Sequence, residues 1–467
     1  STTPFQFEMS EPPDEQIELL RDALRYAEHY LGTLDQRNVY PNSEALDALD
    51  EFDEPLPIEP SQPSDTLAML HRVGGPGTVA QVGGRYFGFV NGGALPVGTA
   101  ARVLADVWDQ NTAHFVMSPL AARLEAVCER WMAQLLGFPQ ETAAGFVTGT
   151  TLANVSGLAA GRNEILRRKG WDVSESGLYG APPIPVIVGQ GAHAAVRKSL
   201  ALLGMGDTHT QVIPVDDQGR MIASKIPKIE EGTLVVAQAG NVNSGAFDPV
   251  GEICDRVHAN SGWVHVDGAF GLWAAALPSL EEHVKGIDRA DSWAVDAHKT
   301  LNVPYDCGIV LCRDRAALER AFRASAEYFQ WSNEREPMRY TPSMSKRARS
   351  IELWAVLKTL GREGVVTLIE QLCSHAQNFA SQLHERGFAI HNDIVFNQVL
   401  VSCDSDKETQ RTLAAIQDMG DCWCGASTWH GRSVIRVSVC SWATTSEDID
   451  RSVQSFCAAR KIARTSN

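Results

Sequence analysis

Between residues 145 and 312, short apolar runs rich in β-branched residues alternate with helical patterns, and this alternation constrains the fold more than any other feature. The runs are GFVT (145–148), PVIVG (185–189), QVIPVD (211–216), TLVVAQ (233–238), WVHVD (263–267), SWAVD (292–296) and CGIVLC (307–312). Helical patterns lie between several of them, over 151–168, 192–203 and 250–260. Strands this continuously apolar are buried on both faces, which parallel strands joined by crossover helices achieve. The pattern predicts an α/β unit over 79–350, built on a mostly parallel seven-stranded sheet.

Two other regions flank this unit. Residues 14–31 repeat Ile17, Leu20, Leu24, Ala27 and Leu31 at spacings of three and four, an amphipathic helix. The Pro- and Asp-rich stretch after it reads as an irregular arm, so that 1–78 form an N-terminal helical arm suited to packing on a second subunit. Beyond 350 a long helical pattern (351–386) is followed by strand-like FAIHN, VFNQVLVSC and SVIRVSVC, with helices at 407–418 and 446–460. This predicts a smaller α+β C-terminal domain over 351–467.

Charge and cysteine usage exclude several classes. A net charge of −16 repels phosphate backbones, so nucleic acid is not an expected partner. The ten cysteines lie largely in apolar runs and read as buried free thiols of a reducing compartment; Cys422 and Cys424 are too close for the usual zinc spacing. The first thirty residues are acidic and show no apolar leader segment, and no apolar run approaches the length of a membrane span. The reading is a cytoplasmic protein.

Ligands of open α/β sheets sit beyond the carboxyl ends of the strands. After GFVT comes Thr148-Gly149-Thr150-Thr151, opening a helix; hydroxyls and backbone N–H groups there suit an anion, although a plain helix cap has the same composition. After PVIVG comes Gln190-Gly191-Ala192-His193, where Gly189, Gly191 and Ala194 imitate a dinucleotide fingerprint without an acid at the usual distance. After WVHVD, alternation puts His265, Asp267 and Ala269 on one side, a carboxylate beside small residues. A metal site from His258, His265 and Asp267 matches no familiar spacing. After SWAVD come His298 and Lys299, a lysine at the cleft mouth whose desolvation favours imine chemistry. An anion loop, a ring-stacking histidine, a carboxylate for a ring nitrogen and an amine for an aldehyde are together what pyridoxal 5′-phosphate requires.

The sequence also resembles the group II pyridoxal-phosphate-dependent amino-acid decarboxylases, of PLP fold type I (aspartate aminotransferase-like). The resemblance runs from about residue 80 to the end, through GRYFGFVNGG (84–93), SPLAARLE (118–125), TGTTLAN, HVDGAF, DAHKTLNVPYDCG and GRSVIRVSVCSWATTSEDID. It implies that Lys299 binds the cofactor as a Schiff base, Asp267 pairs with the pyridine nitrogen, His193 stacks on the ring and Ala269 lies against the other face. It implies phosphate contacts from Thr150 and Thr151, with His298 helping. Asn241 stands where the family often has threonine, and Thr150 where it often has glycine, so Asn241 is carried as a cofactor contact with its role open. Family members are homodimers with the site at the interface.

By the same resemblance, AFRASAEYFQ (321–330) places Tyr328 as proton donor on a lid, favouring simple decarboxylation over aldehyde formation. Phe87, Phe89, Trp108 and Phe115 lie in segments like the substrate-facing wall, pointing to an aromatic or bulky L-amino acid; Arg347 and Arg349 are alternatives for an acidic side chain. The competing readings are another reaction of this cofactor on the same fold, such as transamination, aldehyde synthesis or carbon–carbon lysis, and a non-catalytic relative that binds a partner.

Overall fold

A computed structural model describes residues 13–324 and 332–465. Seven strands form the larger sheet: β1 (Ala143–Val147), β2 (Val186–Gly189), β3 (Gln211–Ile213), β4 (Leu234–Gln238), β5 (Trp263–Asp267), β6 (Ser292–Asp296) and β7 (Gly308–Cys312). Their order is β1-β7-β6-β5-β4-β2-β3, and β7 alone runs against its neighbours. Every residue of β1, β4, β5, β6 and β7 is buried, as the uniformly apolar runs require. Period-two alternation divides each strand between two layers. Val235 and Ala237 of β4 face one core with Ile253 and Leu353, while Leu234 and Val236 face the other with Leu158 and Leu200.

A second sheet joins β8 (Ala389–Ile390), β9 (Gln398–Ser402), β10 (Gly425–Trp429) and β11 (Arg432–Ser438) in the order β10-β11-β9-β8, all antiparallel. The sequence pattern shows three of these strands; β10 reads GASTW, too small and polar to stand out. The helix Ser350–Glu385 serves both cores. Leu353, Val356 and Ile369 belong to the core of the larger sheet, and Leu372, Ala376 and Phe379 to that of the smaller. It is interrupted at Gly361, whose φ of 60° is one that glycine adopts without strain.

The expected irregular arm contains short helices at Ser43–Ala48 and Pro63–Met69. Asn42 caps the first, its Oδ1 accepting from Ala45 N–H at 2.9 Å, and Pro63 begins the second, where a missing N–H costs nothing. In the N-terminal helix (Pro13–Thr33) Ile17, Leu20, Leu24 and Leu31 are exposed, so the apolar row faces away from this chain's own core.

A buried ion network fixes the start of β1. Arg335 bonds Glu125 at 3.0 Å and Glu129 at 2.6 Å, donates to the Ala144 carbonyl, and lies 4.0 Å over the Tyr340 ring. Glu129 also accepts from Ala144 N–H at 2.8 Å, so both polar groups of that residue are held. Removing the guanidinium would leave Glu129 to Arg315 and Glu125 to Lys346 at 4.0 Å alone, and would strip the Ala144 carbonyl of its donor. Arg335→Met should therefore lose about 3–5 kcal/mol of stability in urea unfolding, with the slope of the transition unchanged.

Candidate active site

β5 carries a polar row along one face. Val264 and Val266 point into one core, so Trp263, His265 and Asp267 face the helix Thr150–Arg168. That helix approaches closely because Gly157 and Gly161 face the row; a Cβ at Gly157 would stand 2.6 Å from the His265 ring. Trp263 Nε1–H donates to Ser292 Oγ at 2.9 Å, and the Ser292 hydroxyl meets His265 Nδ1 at 2.7 Å. His265 Nε2 lies 2.8 Å from Asn154 Oδ1. An amide oxygen only accepts, so His265 carries its proton on Nε2 and takes the Ser292 hydroxyl proton at Nδ1. The Asn154 Nδ2 is buried with no hydrogen-bond partner among the described residues, and its nearness to Asp267 adds a small pull toward the ionised form.

Asp267 is buried, and burial raises its pKa. The nearby His193 and Lys299, the Ala269 N–H at 3.3 Å and Asn154 oppose that rise without cancelling it. The group is a carboxylate in want of a cation. His193 caps the helix Ala194–Leu202, its Nδ1 accepting from Ala195 N–H at 3.1 Å. Burial lowers its pKa, so the ring that faces the cleft is a neutral, flat surface.

Lys299 follows β6, and its Nζ lies 3.4 Å from Asp296 Oδ2. His298 Nδ1 accepts from Cys307 N–H at 3.0 Å, which turns Nε2 toward Asp296 Oδ1 at 3.5 Å. Burial raises the Asp296 pKa, but the neighbouring His298 and Lys299 bring it below the usual value. Asn302 fixes this loop: its Nδ2 donates to the Thr300 and Cys440 carbonyls at 3.0 Å, and its Oδ1 accepts from Gly93 N–H and Trp442 N–H at 2.8 and 2.9 Å. Gly92 packs on the same turn so closely that a Cβ would collide with the Lys299 carbonyl.

These groups converge. Thr150, Thr151, His193, Asp267, Ala269, His298 and Lys299 line one cleft of about 380 Å³, as do Gln238, Asp296 and Arg436. The Thr150 hydroxyl is buried with no hydrogen-bond partner among the described residues, at the start of a 19-residue helix. An orphaned donor at a helix start, a buried carboxylate lacking a cation and an amine at the mouth fit a phosphorylated, cationic, aldehyde-bearing ring.

Other expected residues lie elsewhere. Asn241 is not part of the lining; its Oδ1 accepts from Asn243 and Ser244 N–H at 2.8 and 3.1 Å, within a turn. Tyr328 lies outside the described residues. Of the four rings assigned to the substrate wall, Phe89 alone lines the cleft. Phe87 is fully buried against Phe379, Phe115 lies beneath Arg123, and Trp108 ends the helix Pro96–Trp108. Arg347 and Arg349 are taken by ion pairs to Asp306, and Arg347 also pairs with Glu352 at 2.6 Å. The metal trio set aside on its spacing is also occupied otherwise, since His258 pairs with Asp291 at 2.8 Å and His265 with Ser292 and Asn154.

The fold is that of PLP fold type I enzymes. It matches the crystal structure of Oryza sativa TDC with PLP and tryptamine at a TM-score of 0.90 and 21% identity, covering 98% of this chain and 99% of that one. Mouse CSAD matches at 0.88 and 20% identity, with 96% and 99% covered. In sequence, the chain is 28% identical to an aromatic-L-amino-acid decarboxylase of Bacillus atrophaeus, over 73% of this chain and 72% of that protein. It is 26% identical to an L-2,4-diaminobutyrate decarboxylase of Rhizobium meliloti, over 75% and 73%. The model of the pyridoxal-dependent decarboxylase conserved domain matches residues 50–402, and the chain belongs to that family. It is a pyridoxal-phosphate-dependent amino-acid decarboxylase.

The polar row makes a prediction about acid stability. Burial holds His265 at about 3, against 6.5 for a free side chain. Between those values the unfolded chain binds a proton that the folded chain does not, so stability falls as the pH falls through this window. His265→Asn, which keeps a hydrogen-bonding side chain without the titration, should flatten that limb in denaturant midpoints measured from pH 6.5 downward.

Proposed function

We propose that this enzyme decarboxylates an aromatic or other bulky L-amino acid to its amine, with Lys299 as the cofactor-binding amine. The observation that carries the substrate reading is Phe89. It lines the cleft, stacks on Trp423 at 5.5 Å, and sits at a φ of 53°, an unusual backbone for a bulky residue. A ring held this way at the cleft mouth offers an aromatic side chain a stacking partner.

Pyridoxal phosphate, when bound, supplies the electron sink that stabilises the carbanion left as CO₂ departs. Asp267 would keep the ring nitrogen protonated through a charge-assisted hydrogen bond. His193 and Ala269, which line the cleft, would hold the ring between a flat surface and a small one. Asp296 would hold the Lys299 ammonium while substrate occupies the cofactor, keeping the amine in the cleft to regain its bond to the cofactor afterwards. Tyr328 is the proposed donor of the proton that replaces CO₂ on the α-carbon; Tyr328→Phe should bind cofactor but lose amine formation, read as amine released per CO₂.

A second reading, an acidic substrate, is favoured by Arg436. Its Nε is buried without a partner among the described residues, and Nη1 reaches the Val242 carbonyl only at 3.3 Å. A screen of L-amino acids for CO₂ release, including DOPA, diaminobutyrate and cysteine sulfinate, separates the two readings. If the aromatic reading holds, Phe89→Ala should raise KM for the best aromatic substrate roughly 10-fold or more and leave small substrates unaffected. Turnover of acidic substrates alone, or release of keto acid without CO₂, would discard it.

The assembly proposed is a homodimer. The exposed apolar row of the N-terminal helix, and exposed Val103, Leu104 and Val107 of the helix Pro96–Trp108, are surfaces suited to a second copy. The ten free cysteines favour a reducing compartment such as the cytoplasm.

A further inference from the structure

Gln238 ends β4 in register with Asp267 on β5, so the two side chains leave the same face of adjacent parallel strands. Asp248 fixes its backbone. The Gln238 N–H donates to Asp248 Oδ2 at 2.7 Å, and its carbonyl accepts from Asp248 N–H at 2.9 Å. The orientation of the side-chain amide follows from the donors and acceptors around it. Asn241 Oδ1 accepts from two backbone N–H groups, those of Asn243 and Ser244, so its other atom must be the nitrogen. That nitrogen meets the Gln238 amide at 3.4 Å, and the atom it meets must accept, so it is Oε1. The Gln238 amide nitrogen therefore turns the other way. Gln238 lines the cleft, and its Nε2 takes no protein acceptor among the described residues. A neutral side chain thus presents N–H donors beside Asp267.

Strand order says which side of the cofactor this donor meets. Pyridoxal phosphate carries its phosphate on one flank of the line from ring nitrogen to aldehyde carbon, and its ring hydroxyl on the other. Asp267 on β5 takes the nitrogen. The Thr150 loop follows β1 and Lys299 follows β6, both on the β6–β7–β1 side of β5; Gln238 lies on the opposite side, at β4. We propose that Gln238 donates a hydrogen bond to the cofactor's ring oxygen, with Asn241 as the positioning residue that fixes its amide. A donor there stabilises the oxygen as an anion, as Asp267 stabilises the ring nitrogen as a cation. The inference rests on the cofactor of the family and not on the identity of the substrate.

The test compares cofactor binding by the apoenzyme in wild type, Gln238→Leu and Asn241→Ala. The probes are pyridoxal 5′-phosphate and its 3-O-methyl analogue, and the lysine-bound cofactor's visible absorbance is recorded for each. Gln238→Leu keeps the size of the side chain, and thermal melting of each apoprotein verifies folding. Wild type should prefer pyridoxal phosphate about tenfold or more over the analogue. Gln238→Leu should reduce that preference severalfold and move absorbance from the long- to the short-wavelength band. Asn241→Ala should fall between the two. Equal preference in wild type and Gln238→Leu overturns the proposal. A preference lost in Asn241→Ala but kept in Gln238→Leu overturns it in favour of direct contact by Asn241.

Discussion

The costliest group in this molecule is the Asp267 carboxylate, set at the end of a strand whose every residue is buried. A lone charge there would be driven to take up a proton. The surroundings counter this without placing a permanent cation against it. His193 and Lys299 supply the larger attraction, and the Ala269 N–H and the nearby Asn154 amide supply smaller support. The result is a site whose electrostatic balance a cationic ring nitrogen completes. The helix Thr150–Arg168, the glycines that let it approach and the Trp263–Ser292–His265–Asn154 chain fix the packing around the strand that carries it.

A second constraint is the closeness of the loops around Lys299. Asn302 bonds the lysine turn to the 92–93 glycines and to the strand end at Cys440, so three distant parts of the chain meet at one side chain. The reactive amine is positioned by the segment that presents Phe89 and by the sheet that carries Arg436. Substrate-contacting and cofactor-contacting groups are thereby set by the same hydrogen bonds, and a change in one propagates to the other.

Much of this was legible in the chain. Uniform burial of parallel strands leaves a plain apolar signature, and ligand groups follow those strands directly; hence Asp267, His298, Lys299 and the Thr150 loop could be found by reading past each strand end. Other features left weaker traces. β10 alternates polar and small residues because its sheet is solvated on one side, so GASTW resembles a loop. Gln238 sits inside the strand pattern and looks like its polar terminus. Asn241, three residues later, looked better placed for the cofactor, but a turn needs its oxygen. The aromatic wall was assigned by segment; Phe89 of that set lines the cleft, while the facing of Phe87, Trp108 and Phe115 depends on packing that no local pattern records.

The helix Ser350–Glu385 passes from one apolar core to the other between Ile369 and Leu372 with no interruption at the crossing. Its only break, at Gly361, falls earlier, inside the first core. Neither core can therefore lose its share of this rod without fraying the other's. The two halves of the molecule are bound to melt as one body, and a truncation after residue 369 would strip a wall from what remains on either side of the cut.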